Sequence, residues 1–213
     1  MKQRLRITYG VTGPLRYVSH LDQMQVWERT ARRACIPLAY SAGFNPRPQM
    51  QIAAALPVGF AAEAEWLDVW LVEPLHPQAA CDALRQVVPA GLPVVCVEEV
   101  ALDEPPLQTR VCAAHYAVSV ANPLPAADVE QRVAALLAAD TLPRARRGRA
   151  YDLRPLIEQL SVTDASPERV VLEMRLAARP SATGRPEEVL SALGLADSFF
   201  AVTRKALFVE ACP

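Results

Sequence analysis

The strongest constraint on this chain is a repeated switch between two hydrophobic periods. Leu5, Ile7 and Tyr9 alternate with Arg4, Arg6 and Thr8, the period-2 signature of a strand with one buried face. Gly10, Gly13 and Pro14 break that pattern. Ser19, followed three residues later by Asp22, is a capping-box-like helix start, with the acid near the positive end of the helix. Leu21, Met24, Trp27, Ala31 and Ala34 or Cys35 then fall on one helical face, and Pro37 ends the helix. Short strands are expected at 38–40 and 50–56 around a turn at 43–48, followed by a long strand at 64–72. A helix at 77–88, with Cys81, Leu84 and Val88 as its buried stripe, leads to a closing strand at 93–100. The order β-α-β-β-α-β is that of the ferredoxin-like split βαβ.

Pro105-Pro106 marks a break, after which the pattern approximately repeats. A strand is expected at 115–120, a helix at 126–139, and a basic connector or weak strand at 142–149. Pro155 leaves 153–162 open between an edge strand and a short helical turn. A strand at 170–177, a helix at 186–193 stopped by Gly194, and a strand at 199–209 complete the series. The expected fold is α+β, with two tandem ferredoxin-like (βαββαβ) units at 1–102 and 113–213, the second irregular, and a linker at 103–112. Two units of this size fit a chain of 213 residues.

The formal net charge is −1, which argues against a generally basic coat, but the distribution is uneven. Residues 1–50 hold eight Lys/Arg against two acids, and residues 51–110 hold two against nine. A basic N-terminal quarter matters more to an anionic partner than the total does. The five cysteines include no CxxC or CxxxCxxC, so no zinc ribbon or iron–sulfur cluster is encoded locally, and most of them read as small core residues of a reducing cytosol. The N-terminus runs directly into the strand pattern without a signal peptide. The longest apolar run, 52–62, contains Pro57 and Gly59 and is too short to span a bilayer. A soluble, cytoplasmic protein is expected.

Three constellations could carry function. Arg16, Tyr17 and His20 sit at the first strand–helix junction, and Asn45 and Arg47 sit in the 43–49 turn beside Phe44. If that turn is the hairpin between the second and third strands, the two loops share one end of the sheet. Arg16, Tyr17, His20, Asn45 and Arg47 could then bind a phosphate or carboxylate. His20 and Asp22, two residues apart on a helix, diverge by roughly 200° and do not make a direct catalytic pair. Trp66 and Trp70 flank Asp68 on the outer face of the long strand, where they could stack bases or, more simply, form an interface. No RNA-recognition signature accompanies them. Finally, 144–154 carries Arg144, Arg146, Arg147, Arg149 and Arg154 with Tyr151, an RNA-backbone contact pattern, with a solvated loop as the plain alternative. No Walker loop, GxGxxG, GxSxG or HExxH is present.

SHLD (19–22), AYS-GFNP-P (39–48), ALPVG (55–59), E-LDV (65–69), RAYDLRPLIEQL (149–160) and RPEEVLSALGL (185–195) together resemble the radical SAM-linked protein family, a bacterial domain of unknown function. In that family the domain is often fused to, or encoded beside, a radical SAM enzyme, near genes for ribosomal proteins and a ribonuclease of RNA maturation. The resemblance implies a non-catalytic accessory role in RNA- or ribosome-linked modification, with a radical SAM enzyme as partner. No cofactor is expected on this chain; SAM and the iron–sulfur cluster would belong to the partner. Two alternatives stand beside this: a protein-docking module without RNA contact, and a metal-independent endoribonuclease using His20 and Tyr17. Tandem ferredoxin-like units are also reminiscent of CRISPR repeat-processing endoribonucleases, an analogy of fold alone.

Overall fold

The computed structural model describes residues 2–121, 124–146, 148–179 and 181–209. The fold is α+β, and the chain separates into two compact units, 1–110 and 111–213. Among the described residues no helix is long and apolar enough to cross a membrane.

The first unit contains β1 (Gln3–Val11), α1 (His20–Arg33), β2 (Met50–Ile52), β3 (Ala61–Leu71), α2 (Pro77–Val87), β4 (Val94–Val100) and the short α3 (Leu107–Arg110). Its strands pair antiparallel in the order β4-β1-β3-β2, with Leu5 opposite Val69 and Ile7 opposite Leu67. Leu5, Ile7, Tyr9, Leu67, Val69 and Leu71 are buried, and Tyr9 meets Trp27 of α1 edge-on at 4.7 Å between ring centroids. Trp27, Thr30, Ala31 and Gln23 form the buried stripe of α1. That stripe is rotated from the expected one, because Leu21 is 73% exposed. The Ser19 hydroxyl oxygen accepts from the Asp22 backbone N–H and its O–H donates to the Asp22 carboxylate, so the expected cap forms. At the other end, Cys35 takes a positive φ of 55°, and the bonds Cys35 N–H to Arg32 C=O and Ile36 N–H to Ala31 C=O make a Schellman ending.

β1 is buried on both faces, contrary to the one-sided reading of its alternation. Arg4 is 1% and Arg6 8% exposed, because both converge on Asp68 of β3, which is itself 0% exposed. Arg4 Nε donates to the Asp68 carboxylate at 3.0 Å and Arg6 Nε at 2.8 Å. Residues 103–108 lie over this cluster. The Glu104 backbone carbonyl accepts from Arg4, and its carboxylate pairs with Arg6 and Arg110. Leu107 is fully buried, and its N–H donates to the Gln51 side chain. The segment expected as a linker at 103–112 is therefore built of a packed turn, α3 and the first residues of the next strand.

The second unit contains β5 (Val111–Ala121), α4 (Ala126–Ala138), β6 (Pro143–Arg146), β7 (Arg149–Asp152), β8 (Ile157–Ala165), β9 (Arg169–Arg179), β10 (Ala182–Thr183), α5 (Pro186–Ala192) and β11 (Phe200–Val209). Its main strands repeat the order of the first unit, β11-β5-β9-β8, all antiparallel, with β10 added along the end of β9. The ambiguous 153–162 stretch divides in two. Pro155 sits in a single 3-10 turn, Arg154–Leu156, after which β8 begins. β6 and β7 pair only with each other, as a two-stranded ribbon inserted between α4 and β8.

Candidate functional site

The β6–β7 ribbon is held at its base. Asp152 Oδ1 accepts from the backbone N–H groups of Leu142 (2.7 Å) and Arg154 (3.0 Å), and Leu153 next to it is fully buried. Beyond that anchor the register places Arg144 opposite Tyr151 and Arg146 opposite Arg149. Two like charges directly across an antiparallel pair destabilise it. A ribbon with no other strand to lean on is marginal already. An anion lying between the two guanidinium groups would relieve both costs.

A groove of about 770 Å³ opens beside this pair, lined by Arg146, Arg149, Tyr151, Asp152, Leu156 and, from the segment before α5, Ser181, Ala182, Thr183 and Arg185. It holds three arginines against one carboxylate, and that carboxylate is already committed to two backbone donors. The Tyr151 phenol is pushed above its ordinary pKa, chiefly by burial and further by the charge and hydrogen bond of Glu188. It therefore stays neutral and keeps its proton as a donor to Glu188. Three guanidinium groups, the Ser181 hydroxyl and a phenol ring held by Glu188 make a site for phosphate oxygens with a flat face nearby, whereas the Thr183 hydroxyl already donates to the Arg179 carbonyl (2.9 Å).

Of the other arginines in this run, Arg154 is spent on structure. Its guanidinium donates to the Leu137 carbonyl (3.0 and 3.2 Å) in the last turn of α4, and to the Ile157 carbonyl (3.1 Å) at the start of β8. Satisfying exposed helix-end carbonyls is a structural task. Arg144 folds back onto the Pro143 carbonyl. Arg147 lies outside the described residues. Arg185, Ser181 and Thr183 were not among the expected site residues. Arg185 enters the sequence reading only as the first residue of the RPEEVLSALGL motif, and nothing local in the sequence links it to the arginine run.

The patch expected in the first unit is divided. Arg16 and Tyr17 lie in the 3-10 turn Gly13–Tyr17. Arg16 Nη2 donates to the Tyr17 hydroxyl (2.6 Å), and its guanidinium lies over the Tyr17 ring at 4.8 Å. His20 begins α1 beside them, half-buried, with Nδ1 unpartnered. What meets this turn is the 53–60 connection between β2 and β3, where the Gly59 N–H donates to the Arg16 carbonyl. The 43–49 segment is instead the tip of a small hairpin before β2, with Tyr40 bridged to Pro48 and Gln49 N–H bonded to the Ala39 carbonyl. That hairpin sits beside the later half of α1. Arg47, Pro46 and Pro48 line a groove of about 430 Å³ with Gln25, Glu28, Arg29 and Arg32. Arg29 is roughly two and a half turns, about 13 Å, along the helix from His20. Arg47 thus joins Arg29 and Arg32 rather than Arg16 and His20, and Asn45 is exposed on the same tip.

Trp66 and Trp70 are half-buried, and each is occupied by an arginine from β1, Arg6 at 5.5 Å and Arg4 at 4.9 Å from the ring centroids. Trp70 also borders a shallow groove with Gln49, Met50, Gln51 and Gln108. Among the described residues no group of three or more His, Cys, Asp or Glu side chains is placed to hold a metal ion.

The fold resembles parts of larger chains of known structure. One, from the crystal structure of a Cbf5-Nop10-Gar1 complex, superposes with a TM-score of 0.55 at 10% identity over 97% of this chain and 50% of that one. Another, from the structure of an H/ACA RNP bound to a substrate RNA containing 2′-deoxyuridine, gives 0.52 at 10% identity over 97% and 49%. This chain spans about half the length of these two chains, and identity this low carries the fold alone. No curated protein matches it. Residues 4–186 match the family described as an uncharacterized protein conserved in bacteria (DUF2344), and the chain belongs to that family.

Proposed function

We propose that this protein is a non-catalytic RNA-binding accessory factor that holds phosphate backbone in the groove of Arg146, Arg149 and Arg185. The observation that carries this reading is the pair Arg146 and Arg149, facing each other across the ribbon with Arg185 lining the same groove. Such an arrangement is electrostatically unfavourable until an anion occupies it. Repeated phosphates supply that anion, and Tyr151 offers a ring beside it. The partner we propose is a radical SAM enzyme, which would carry the SAM and iron–sulfur chemistry; this rests on the sequence motifs. We read both units as ferredoxin-like, supported by the strand orders β4-β1-β3-β2 and β11-β5-β9-β8. The likeness to half of a chain from an RNA-bound RNP is consistent with this use of the fold.

Filter binding of total small RNA tests the reading. The wild-type chain retains RNA at low salt, and Arg146→Gln/Arg149→Gln loses at least tenfold in affinity. Equal retention by that variant would remove the groove from the account. Both side chains point from a ribbon that contributes nothing to the core, so the variant is expected to fold normally.

A further inference from the structure

The first unit carries a second surface that the groove on the ribbon does not explain. Residues 41–47 form a closed loop: the Ser41 N–H donates to the Arg47 carbonyl (2.9 Å) and the Arg47 N–H to Ser41 Oγ (3.0 Å). Pro46 and Pro48 fix φ on its returning side. Gly43 takes φ +128°, a conformation that disfavours side chains. The loop is therefore shaped before any ligand arrives, and it presents Phe44 with its side chain fully in solvent (106% relative exposure). One exposed phenylalanine needs no explanation. Here it tips a loop that forms one wall of a cationic groove.

The opposite wall is the outer face of α1. Arg32 is held there, paired with Glu28 at 2.6 Å and donating to the Tyr40 hydroxyl at 3.3 Å. Arg29 and Arg47 are exposed, and among the described residues neither has an ion-pair partner. The single carboxylate lining the groove is therefore already used, and two guanidinium groups remain for an incoming anion. A flat apolar ring on the same closed loop as Arg47, which shares a groove with Arg29, matches the unpaired nucleotide: a base to stack and a phosphate to bind. Duplex RNA offers no exposed base face, and an acidic peptide offers charge without a stacking partner.

We infer that the 41–48 loop and the outer face of α1 form a single-stranded RNA contact, in which Phe44 stacks on an unpaired base while Arg29 and Arg47 hold the adjoining phosphate. This rests on the RNA-binding reading above and extends it to a second, sequence-tolerant contact in the other unit.

The test is fluorescence anisotropy of the full chain with a labelled, unstructured single-stranded RNA oligonucleotide. Phe44→Ala and Phe44→Leu each weaken binding by about tenfold or more, the usual loss of one base stack, whereas Phe44→Trp retains it. Arg29→Gln/Arg47→Gln flattens the salt dependence by about 0.7 in log–log slope, the contribution of the one phosphate the two arginines share. Because Phe44 packs against nothing, these variants keep the fold, and an unchanged thermal transition confirms it. If both Phe44 variants bind like wild type while Arg146→Gln/Arg149→Gln fails, this contact is overturned and the ribbon groove stands. If Phe44→Leu binds as wild type and only Phe44→Ala fails, the residue fills an apolar pocket and the stacking proposal is overturned. If Phe44→Ala keeps RNA affinity but loses a copurifying protein, the loop is a protein-docking element and the proposal falls. If the wild-type chain binds no RNA, this inference and the broader reading fall together.

Discussion

Asp68 is the residue on which the two buried arginines of β1 converge. Its carboxylate, fully buried, accepts from the guanidinium groups of both Arg4 and Arg6, whose charges are themselves nearly out of water. Breaking a buried ion pair from one side costs about 3–5 kcal/mol, because the charge left behind has nothing to replace its partner or its lost water. Asp68→Asn preserves shape and removes the charge, so it is expected to lower the unfolding free energy by an amount in that range, read as a lower denaturation midpoint at unchanged m-value; an unchanged midpoint would contradict the geometry. This residue also shows where sequence reading stops. Alternation along β1 identified which residues share a face, and Leu5, Ile7 and Tyr9 are indeed core. It could not reveal that the arginine face is covered as well, since period 2 reports sidedness and not what lies over the second side. Two of the eight basic residues that made the N-terminal quarter look like a basic surface are consumed in this way. The surface charge of the region falls to Arg29, Arg32, Arg33 and Arg47, with Lys2 and Arg16.

Among the elements, the β6–β7 ribbon is an addition to the second unit, and its removal should show that. Its described residues from Pro143 to Ala150 include none that is buried, and the strand order β11-β5-β9-β8 closes without it. Exposed segments of this kind tolerate excision when the backbone bonds at their base survive. Replacing 144–151 with Asn-Gly, keeping Asp152 and Leu153, is expected to leave the circular dichroism spectrum and cooperative unfolding intact while RNA affinity drops at least tenfold. Loss of cooperative unfolding would make the ribbon part of the unit's core. Its composition explains why 142–149 read as a connector or weak strand: a ribbon paired only with itself has no buried face, so no hydrophobic period marks it. The 38–56 region went astray for a related reason. β2 is only three residues long, and the apolar residues after it belong to the β2–β3 connection. Taking 43–49 for that connection placed Arg47 at the wrong end of α1. The longer helices and strands, whose period was sustained, lie close to where their sequence put them.

For the whole molecule, a net charge of −1 conceals two cationic grooves, one in each unit. Their members come from separate stretches: 146–156 with 181–185 in one case, 25–32 with 46–48 in the other. One stretch of each groove carried a visible signal, arginine density in the first and the loop residues around Phe44 in the second. The pairing of stretches was invisible, because it depends on strand order and on which end of a helix a hairpin packs against. The ligand proposed for both grooves is phosphate, held by the arginines that line them. The most direct measurement is the affinity of the full chain for a single-stranded RNA oligonucleotide across a series of salt concentrations. Two phosphates in the ribbon groove, one between Arg146 and Arg149 and one at Arg185, predict that log K falls against log salt with a slope of about −1.4, steeper if the 41–48 loop also engages. Absence of binding at low salt, or an affinity indifferent to salt, would contradict it.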